Sequence, residues 1–165
     1  MRYISIFIVF LGLSIAALAQ TRQPSSTSKP FVVKSKQDVE SIYKQLELED
    51  GNKNRDVVPE KGMQMRVAVF HDEKRENDLF ELHDLSDDIY YVLEGKATLA
   101  IGGVLVDPNE KSPGEWRSKT ASGAKAFEVK KGDLVMVPRG TVHQRTVTGK
   151  GFSMILIKVF AVDQP

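Results

Sequence analysis

The sequence predicts an all-β domain, a sandwich or barrel, carrying one short helix at its N-terminal side. Two observations lead there. From about residue 65 onward, apolar, β-branched and aromatic residues fall into short segments, at about 65–70, 79–83, 88–93, 97–101, 104–106, 126–129, 134–137, 142–147 and 153–161. Gly, Asp and Asn punctuate them, at Glu94-Gly95, Gly102-Gly103, Asp107-Pro108-Asn109, Lys131-Gly132-Asp133, Arg139-Gly140 and Gly149-Lys150-Gly151. Many short strands with turn chemistry at such intervals make a sandwich or a barrel.

The elements follow in order. Met1-Arg2 supplies one positive charge, an apolar run extends from Tyr3 to about Ala16, and Ala17-Leu18-Ala19 closes it with a small-x-small step. That pattern is a secretory signal peptide over residues 1–19, cut after Ala19, and it predicts a secreted or periplasmic protein. The rival, an uncleaved anchor, needs more length, since this run is near the lower limit for crossing a bilayer. Residues 20–34 form a flexible lead, Ser-, Thr-, Pro- and Lys-bearing up to Pro30, where no periodic apolar pattern appears. A single domain is expected over 35–165. Ser35 and Asp38 make a capping pair, and Val39, Ile42, Tyr43 and Leu46 follow at helical spacing, so a helix is predicted over about 36–48. Asp50-Gly51-Asn52 ends it, and a polar loop is expected up to about Met63. Residues 107–125, polar and bearing the single tryptophan, Trp116, read as a surface excursion between two halves of the β domain.

Charge and cysteine count limit the function. Removing residues 1–19 takes away Arg2 and no acid, so 23 basic against 22 acidic side chains become 22 against 22. A chain with zero net charge has no basic field for a polyanion, which argues against nucleic acid and anionic membrane as main partners. No stable membrane anchor is expected after cleavage. There is no cysteine, so packing, with or without a metal, must hold the exported domain together. The absence of cysteine also removes thiol nucleophiles, and no G-x-S-x-G elbow or phosphate loop is present.

The segment most informative about chemistry runs from Gly132 to His143. Gly132-Asp133 supplies a turn and Leu134–Val137 a short strand. Pro138 cannot donate to a ladder and stops it, and Gly140 permits a tight reversal before His143. Alternation then puts His143, Arg145 and Val147 on one face. Upstream, Glu81 and His83 are two apart on a predicted strand and share a face, and Asp88 opens the next strand. If these strands are neighbours, two imidazoles and two carboxylates meet in one cavity. That donor set suits a first-row divalent metal with positions left open for water or substrate.

On these residues the chain resembles the cupin superfamily. The second cupin motif, G-x5-P-x-G-x2-H, is matched in full by Gly132, Pro138, Gly140 and His143. The first is matched in part, by His83-x4-Asp88 followed by Tyr90-Tyr91-Val92-Leu93-Glu94-Gly95. The resemblance covers about 65–160 and implies a double-stranded β-helix, a jelly-roll-like barrel with the metal inside. It implies His83, Asp88 and His143 as metal ligands, with Glu81 as a fourth ligand or as the catalytic base. Glu81 stands where many cupins have a first histidine, Asp88 where they have glutamate, and Val147 where an asparagine is common. With two histidines in place of three, germin-like oxalate chemistry on manganese fits less well. The cofactor implied is a divalent transition metal, Fe, Mn, Ni, Cu or Zn. Cupins also commonly dimerise through strand edges, so a homodimer is expected.

Bland readings stand beside these. His71 precedes the run Asp72-Glu73-Lys74-Arg75-Glu76-Asn77-Asp78, which reads as a solvated hairpin loop, and His71 is left out of the site. Arg145 either clamps an anionic substrate or forms a salt bridge at the barrel mouth. Tyr90 is expected as a core aromatic beside Asp88. Two functions fit: a small metalloenzyme, of dioxygenase, isomerase or lyase type, acting on a small polar molecule, or a non-catalytic module holding a sugar or organic acid in the same barrel.

Overall fold

A computed structural model describes residues 31–164 together with Pro24, Ser26 and Lys29. The signal peptide expected over 1–19 lies outside the described residues. Residues 32–165 form one compact unit.

A helix, α1 (Lys36–Leu46), precedes twelve strands: β1 (Lys53–Val58), β2 (Met65–Asp72), β3 (Phe80–His83), β4 (Ser86–Ile101), β5 (Val104–Val106), β6 (Asn109–Ser112), β7 (Glu115–Ser118), β8 (Thr120–Ser122), β9 (Lys125–Lys130), β10 (Leu134–Val137), β11 (His143–Thr146) and β12 (Phe152–Phe160). The helix starts where the capping pair puts it. Ser35 Oγ accepts from the Asp38 amide at 3.1 Å, and Asp38 Oδ2 accepts from the Ser35 amide at 2.9 Å. Both bonds satisfy amides that the first helical turn leaves without partners. Its buried residue, Leu46, is 1 % exposed. Among the described residues no helix is long and apolar enough to cross a membrane.

Strand β4 organises the sheets. Its first half pairs with β10 on one side and β12 on the other, through Tyr90↔Val135 and Tyr90↔Leu156. Its second half pairs with β9 and β11, through Leu99↔Phe127 and Leu99↔Arg145. One strand thus belongs to both faces of the barrel, and the path β1-β2-β12-β4-β11-β3-β7-β6 wraps around it. The core lies between the faces, built from Tyr90, Val92, Leu99, Val137, Val147, Phe152, Met154 and Leu156.

Four regions differ from the sequence expectation. Glu94-Gly95 was expected to turn the chain between two strands; β4 instead runs straight through as a bulged strand. Opposite it, Ser153 pairs with Glu94 and Met154 with Val92, leaving Leu93 as the extra residue. An extra residue exchanges the two faces of a strand. Ser86, Asp88, Tyr90 and Val92 are buried before the bulge, and Ala97 and Leu99 after it. Gly95 sits at φ +75°, and a Cβ there would come within 2.2 Å of the Gly151 carbonyl oxygen, so glycine serves the close approach of β4 to the loop before β12.

The loop expected up to Met63 contains β1, an edge strand whose polar side chains hide its signal; it pairs with β2 from Lys53↔His71 onward. The excursion over 107–125 contains β6, β7 and β8, and β7 is hydrogen-bonded to β3. The Asp72 end of β2 is buried, not solvated: His71 is bonded through Nδ1 to Ser153 Oγ at 2.9 Å, and Asp72 is 1 % exposed. Pairing of β12 with β2, Ser153↔His71, covers these residues.

A carboxylate on the surface fixes one loop. Arg139 donates to Asp87 from its amide at 2.8 Å, from Nε at 3.1 Å and from a terminal nitrogen at 2.6 Å. These bonds hold the Asp87 carboxyl at about 2. A carboxyl lowered on folding stabilises the fold above its unfolded value of about 3.9, and the contribution fades as pH falls through the folded value. The expected result is that Asp87→Asn lowers the unfolding free energy at neutral pH, and that the gap to the parent closes between about pH 4 and pH 2. Urea titrations across that range check it; a gap independent of pH would show that the charge is not the cause.

Candidate metal centre

Strand pairing delivers the donors. On β3, Glu81 and His83 point to the barrel interior. Strand β11 lies between β3 and β4, and His143 is paired with Glu81 across it. Asp88 comes from β4. The loop of the second motif is tied to both neighbours: Gly140 N–H donates to the His83 carbonyl at 2.8 Å, and Arg139 grips Asp87. Pro138 ends β10, the Thr141 amide closes the turn on the Pro138 carbonyl at 3.1 Å, and His143 is set inward at the next strand's first residue.

One ligand atom each from Glu81, His83 and His143 lie within 4.8 Å of one another. His83 Nε2 is 3.6 Å from Glu81 Oε2 and 3.6 Å from Asp88 Oδ2. His143 Nε2 is 4.0 Å and 3.9 Å from the same two oxygens. The rings have centroids 5.1 Å apart. The structure therefore brings all four sequence-predicted residues together, with Asp88 drawn to one side. Its Oδ1 is 2.7 Å from Lys158 Nζ, and its Oδ2 accepts from the Tyr90 hydroxyl at 3.2 Å.

Outer partners orient both rings. His83 Nδ1 is 2.7 Å from Glu115 Oε2, and His143 Nδ1 is 3.0 Å from the Thr141 carbonyl oxygen. Both acceptors favour an N–H at Nδ1, the tautomer in which a neutral ring presents its Nε2 lone pair to the cavity. His143 Nε2 is buried with no hydrogen-bond partner among the described residues. A buried acceptor without a partner is costly, and a cation beside it removes the cost. Burial pushes the His143 imidazole down, against the pull of the Thr141 carbonyl, which favours the neutral form that coordinates. Asp88 is held well below the usual carboxylate range: burial opposes its charge, but His83 and the Lys158 ammonium outweigh burial. Burial first, then the Asp88 charge, raises the Tyr90 phenol well above its ordinary value, so it remains a donor. Two imidazoles and a carboxylate in mutual reach, with the Asp88 carboxylate beside them, are a donor set for a first-row divalent cation.

Glu115, Arg117 and Lys158 escaped the sequence reading. Glu115 and Arg117 lie on β7, inside the presumed excursion, and Arg117 bridges them: its terminal nitrogens are 3.3 Å from Glu115 Oε2, and one is 3.5 Å from Glu81 Oε2. Their stretch has no apolar alternation to reveal a strand. Lys158 did leave a signal, a single charge in Ile155-Leu156-Ile157-Lys158-Val159-Phe160 at the parity of buried Met154 and Leu156. Removing the carboxylate from His83 Nδ1 is expected to weaken metal affinity roughly 10- to 100-fold in Glu115→Ala, with Glu115→Gln between it and the parent. Competition for a chromophoric chelator measures this; an unchanged affinity in Glu115→Ala would deny the orienting role.

The metal donors border a cavity of about 210 Å³ whose wall also includes Phe70, Leu99, Leu156 and the cations Arg117, Arg145 and Lys158. Arg145 makes the salt bridge foreseen for it, to Asp72 at 2.6 Å. Tyr90 is both core and cavity wall. His71 stays outside the group formed by Glu81, His83 and His143.

No protein-family model matches the chain, and no curated protein sequence does. Among solved structures, KdgF from Halomonas sp. aligns at 15% identity with a TM-score of 0.49, over 70% of this chain and 86% of that one. The DMSP lyase DddQ from Ruegeria pomeroyi DSS-3 aligns at 15% identity and 0.49, over 70% of this chain; the chain spans 50% of the lyase's length. A cupin superfamily protein from Desulfitobacterium hafniense DCB-2 aligns at 17% identity and 0.46, over 68% of this chain and 80% of that one. With β4 shared by both faces of an antiparallel barrel and the Gly132–His143 segment running from the turn before β10 to the start of β11, the chain has the double-stranded β-helix fold that its motifs imply.

Proposed function

We propose that the chain is an exported metalloenzyme that holds a divalent transition metal in its barrel and acts on a small polar molecule. One observation carries the reading: two imidazole Nε2 atoms and two carboxylates line one cavity, and His143 Nε2 has no protein partner there among the described residues. His83, His143 and Glu81 would hold the metal, with Asp88 as the fourth donor. When bound, such a cation polarises a carbonyl or enolate oxygen, and iron in that role also handles oxygen.

The chain's own residues have separate tasks. Glu115 and Thr141 fix the imidazole tautomers. Tyr90 and Lys158 position the Asp88 carboxylate at the cavity wall. Glu81, partly exposed and touched by Arg117, is placed to take a proton from a bound molecule if it is not itself a ligand. The wall of Phe70, Leu99 and Leu156 keeps bulk water from one side of the cavity.

The test is elemental analysis of residues 20–165, purified without chelator, beside Glu81→Gln. Near-stoichiometric metal in the parent supports the reading, and the metal's redox character narrows the reaction. Metal lost in Glu81→Gln makes Glu81 a ligand; metal kept with turnover lost makes it the base. A parent without metal overturns the reading and leaves a ligand-binding barrel as the better account. The export proposal is checked by the mature N-terminus, expected at Gln20. A homodimer is part of the same reading, supported by the outward apolar side chains of Tyr91, Leu134 and Met136; sedimentation at micromolar concentration checks it.

A further inference from the structure

The cavity has a second chemical end. Arg145 is nearly buried, its side chain 11 % exposed, and its Nε is taken by Asp72 Oδ2 at 2.6 Å. Its two terminal amino groups have no protein acceptor among the described residues. They are not sealed in protein, since neither is a buried atom lacking a partner, and Arg145 borders the cavity. The guanidinium is held from behind by Asp72 and lies 5.8 Å from the centroid of the Phe70 ring, with Arg66 at 5.7 Å. A guanidinium fixed through Nε presents its terminal pair as a ready fork, the geometry that receives two oxygens of one carboxylate.

Lys158 adds to it. Of three ammonium donors, one faces Asp88 Oδ1 at 2.7 Å and one Ser86 Oγ at 3.1 Å. The third has no protein partner among the described residues, and Lys158 also borders the cavity. Phe70, Leu99 and Leu156 supply apolar wall between the charged groups. A neutral sugar would offer these cations hydroxyl acceptors but no charge, and inorganic phosphate would leave the apolar wall uncovered.

We propose that this cavity receives a small organic acid, its carboxylate on the terminal amino groups of Arg145 and within reach of Lys158, and its apolar part against Phe70, Leu99 and Leu156. The proposal rests on the reading of this cavity as a small-molecule site, and it names the substrate class. Arg145 and Lys158 then determine specificity, selecting for a charged ligand.

The experiment compares butyrate, its neutral isostere butyramide and inorganic phosphate by ligand-observed NMR titration of residues 20–165, with metal content measured on the same samples. Butyrate is expected to bind about tenfold or more tightly than either competitor. Arg145→Lys keeps a charge for Asp72 but has no fork, and Lys158→Gln keeps a polar group for Ser86. Each is expected to weaken butyrate about tenfold or more while near-UV circular dichroism shows a folded chain. Butyramide or phosphate binding as tightly as butyrate overturns the proposal, and so does butyrate binding unchanged in both variants. Metal content separates the two readings. A metal-free parent that still selects butyrate removes the metal centre alone; a metal-loaded parent indifferent to charge removes the acid site alone.

Discussion

Replacing His83 and His143 together by alanine is expected to abolish metal uptake, from near one metal per chain to none. The two imidazoles supply the nitrogen donors of the site, and two carboxylates left alone would bind a first-row cation weakly and without selectivity. The thermal transition reports the same event. A ligand that binds the folded state at a thousandfold excess over its Kd stabilises it by about 4 kcal/mol. For a domain of this size that is on the order of 10 °C in Tm. Added metal should therefore raise the Tm of the parent and leave the variant unmoved. Without metal the two should both fold, the variant losing only the Nδ1 bonds to Glu115 and Thr141 and the packing of the rings. Equal metal in parent and variant, with equal thermal shifts, would place the binding elsewhere on the chain.

Asp72→Ala is expected to be the most destabilising single change outside the apolar core, at about 3–5 kcal/mol. Asp72 is 1 % exposed and receives Arg145 Nε at 2.6 Å and an Arg75 terminal nitrogen at 3.2 Å. Without it, Arg145 keeps its charge in a buried place with no counter-ion, while Arg75, more exposed, turns to Asp78 and solvent. Removing one member of a buried pair costs far more than removing both. The double variant Asp72→Ala with Arg145→Met should thus recover much of the loss, though it gives up the acid-binding fork. Urea denaturation of the two variants tests this. A loss below about 1 kcal/mol in Asp72→Ala would mean that water already reaches Arg145 and that the pair is a surface ion pair in effect.

The site was legible in sequence because its signals are local. Gly132, Pro138, Gly140 and His143 act through turn and strand-end geometry within twelve residues, and Glu81 and His83 share a face by alternation alone. What could not be read depends on pairing between distant segments. Glu115 matters because β7 is hydrogen-bonded to β3, a register that no property of Glu115-Trp116-Arg117-Ser118 announces. The charge run after His71 resembles an exposed loop, yet β12 covers its first residues. Glu94-Gly95 carries turn chemistry and makes a bulge, since left-handed backbone serves either purpose. Strand β1, polar throughout Lys53–Asp56, is held by backbone bonds to β2 and so escapes a reading based on apolar pattern.

The sharing of β4 between both faces also sets an order of events during synthesis. Its partners β9, β10, β11 and β12 all lie between Lys125 and Phe160, so its sixteen residues have no complete neighbour until nearly the whole chain exists. Non-local pairing of this kind folds in milliseconds to seconds, slowly on the scale of helical domains. A nascent chain therefore cannot complete the barrel while it is being made, and under the proposed export it would fold only after crossing the membrane. By the same logic, a chain stopped before Phe152 lacks a flank of β4 and the strand bearing Lys158, and it would be left with the unpaired edge that invites aggregation.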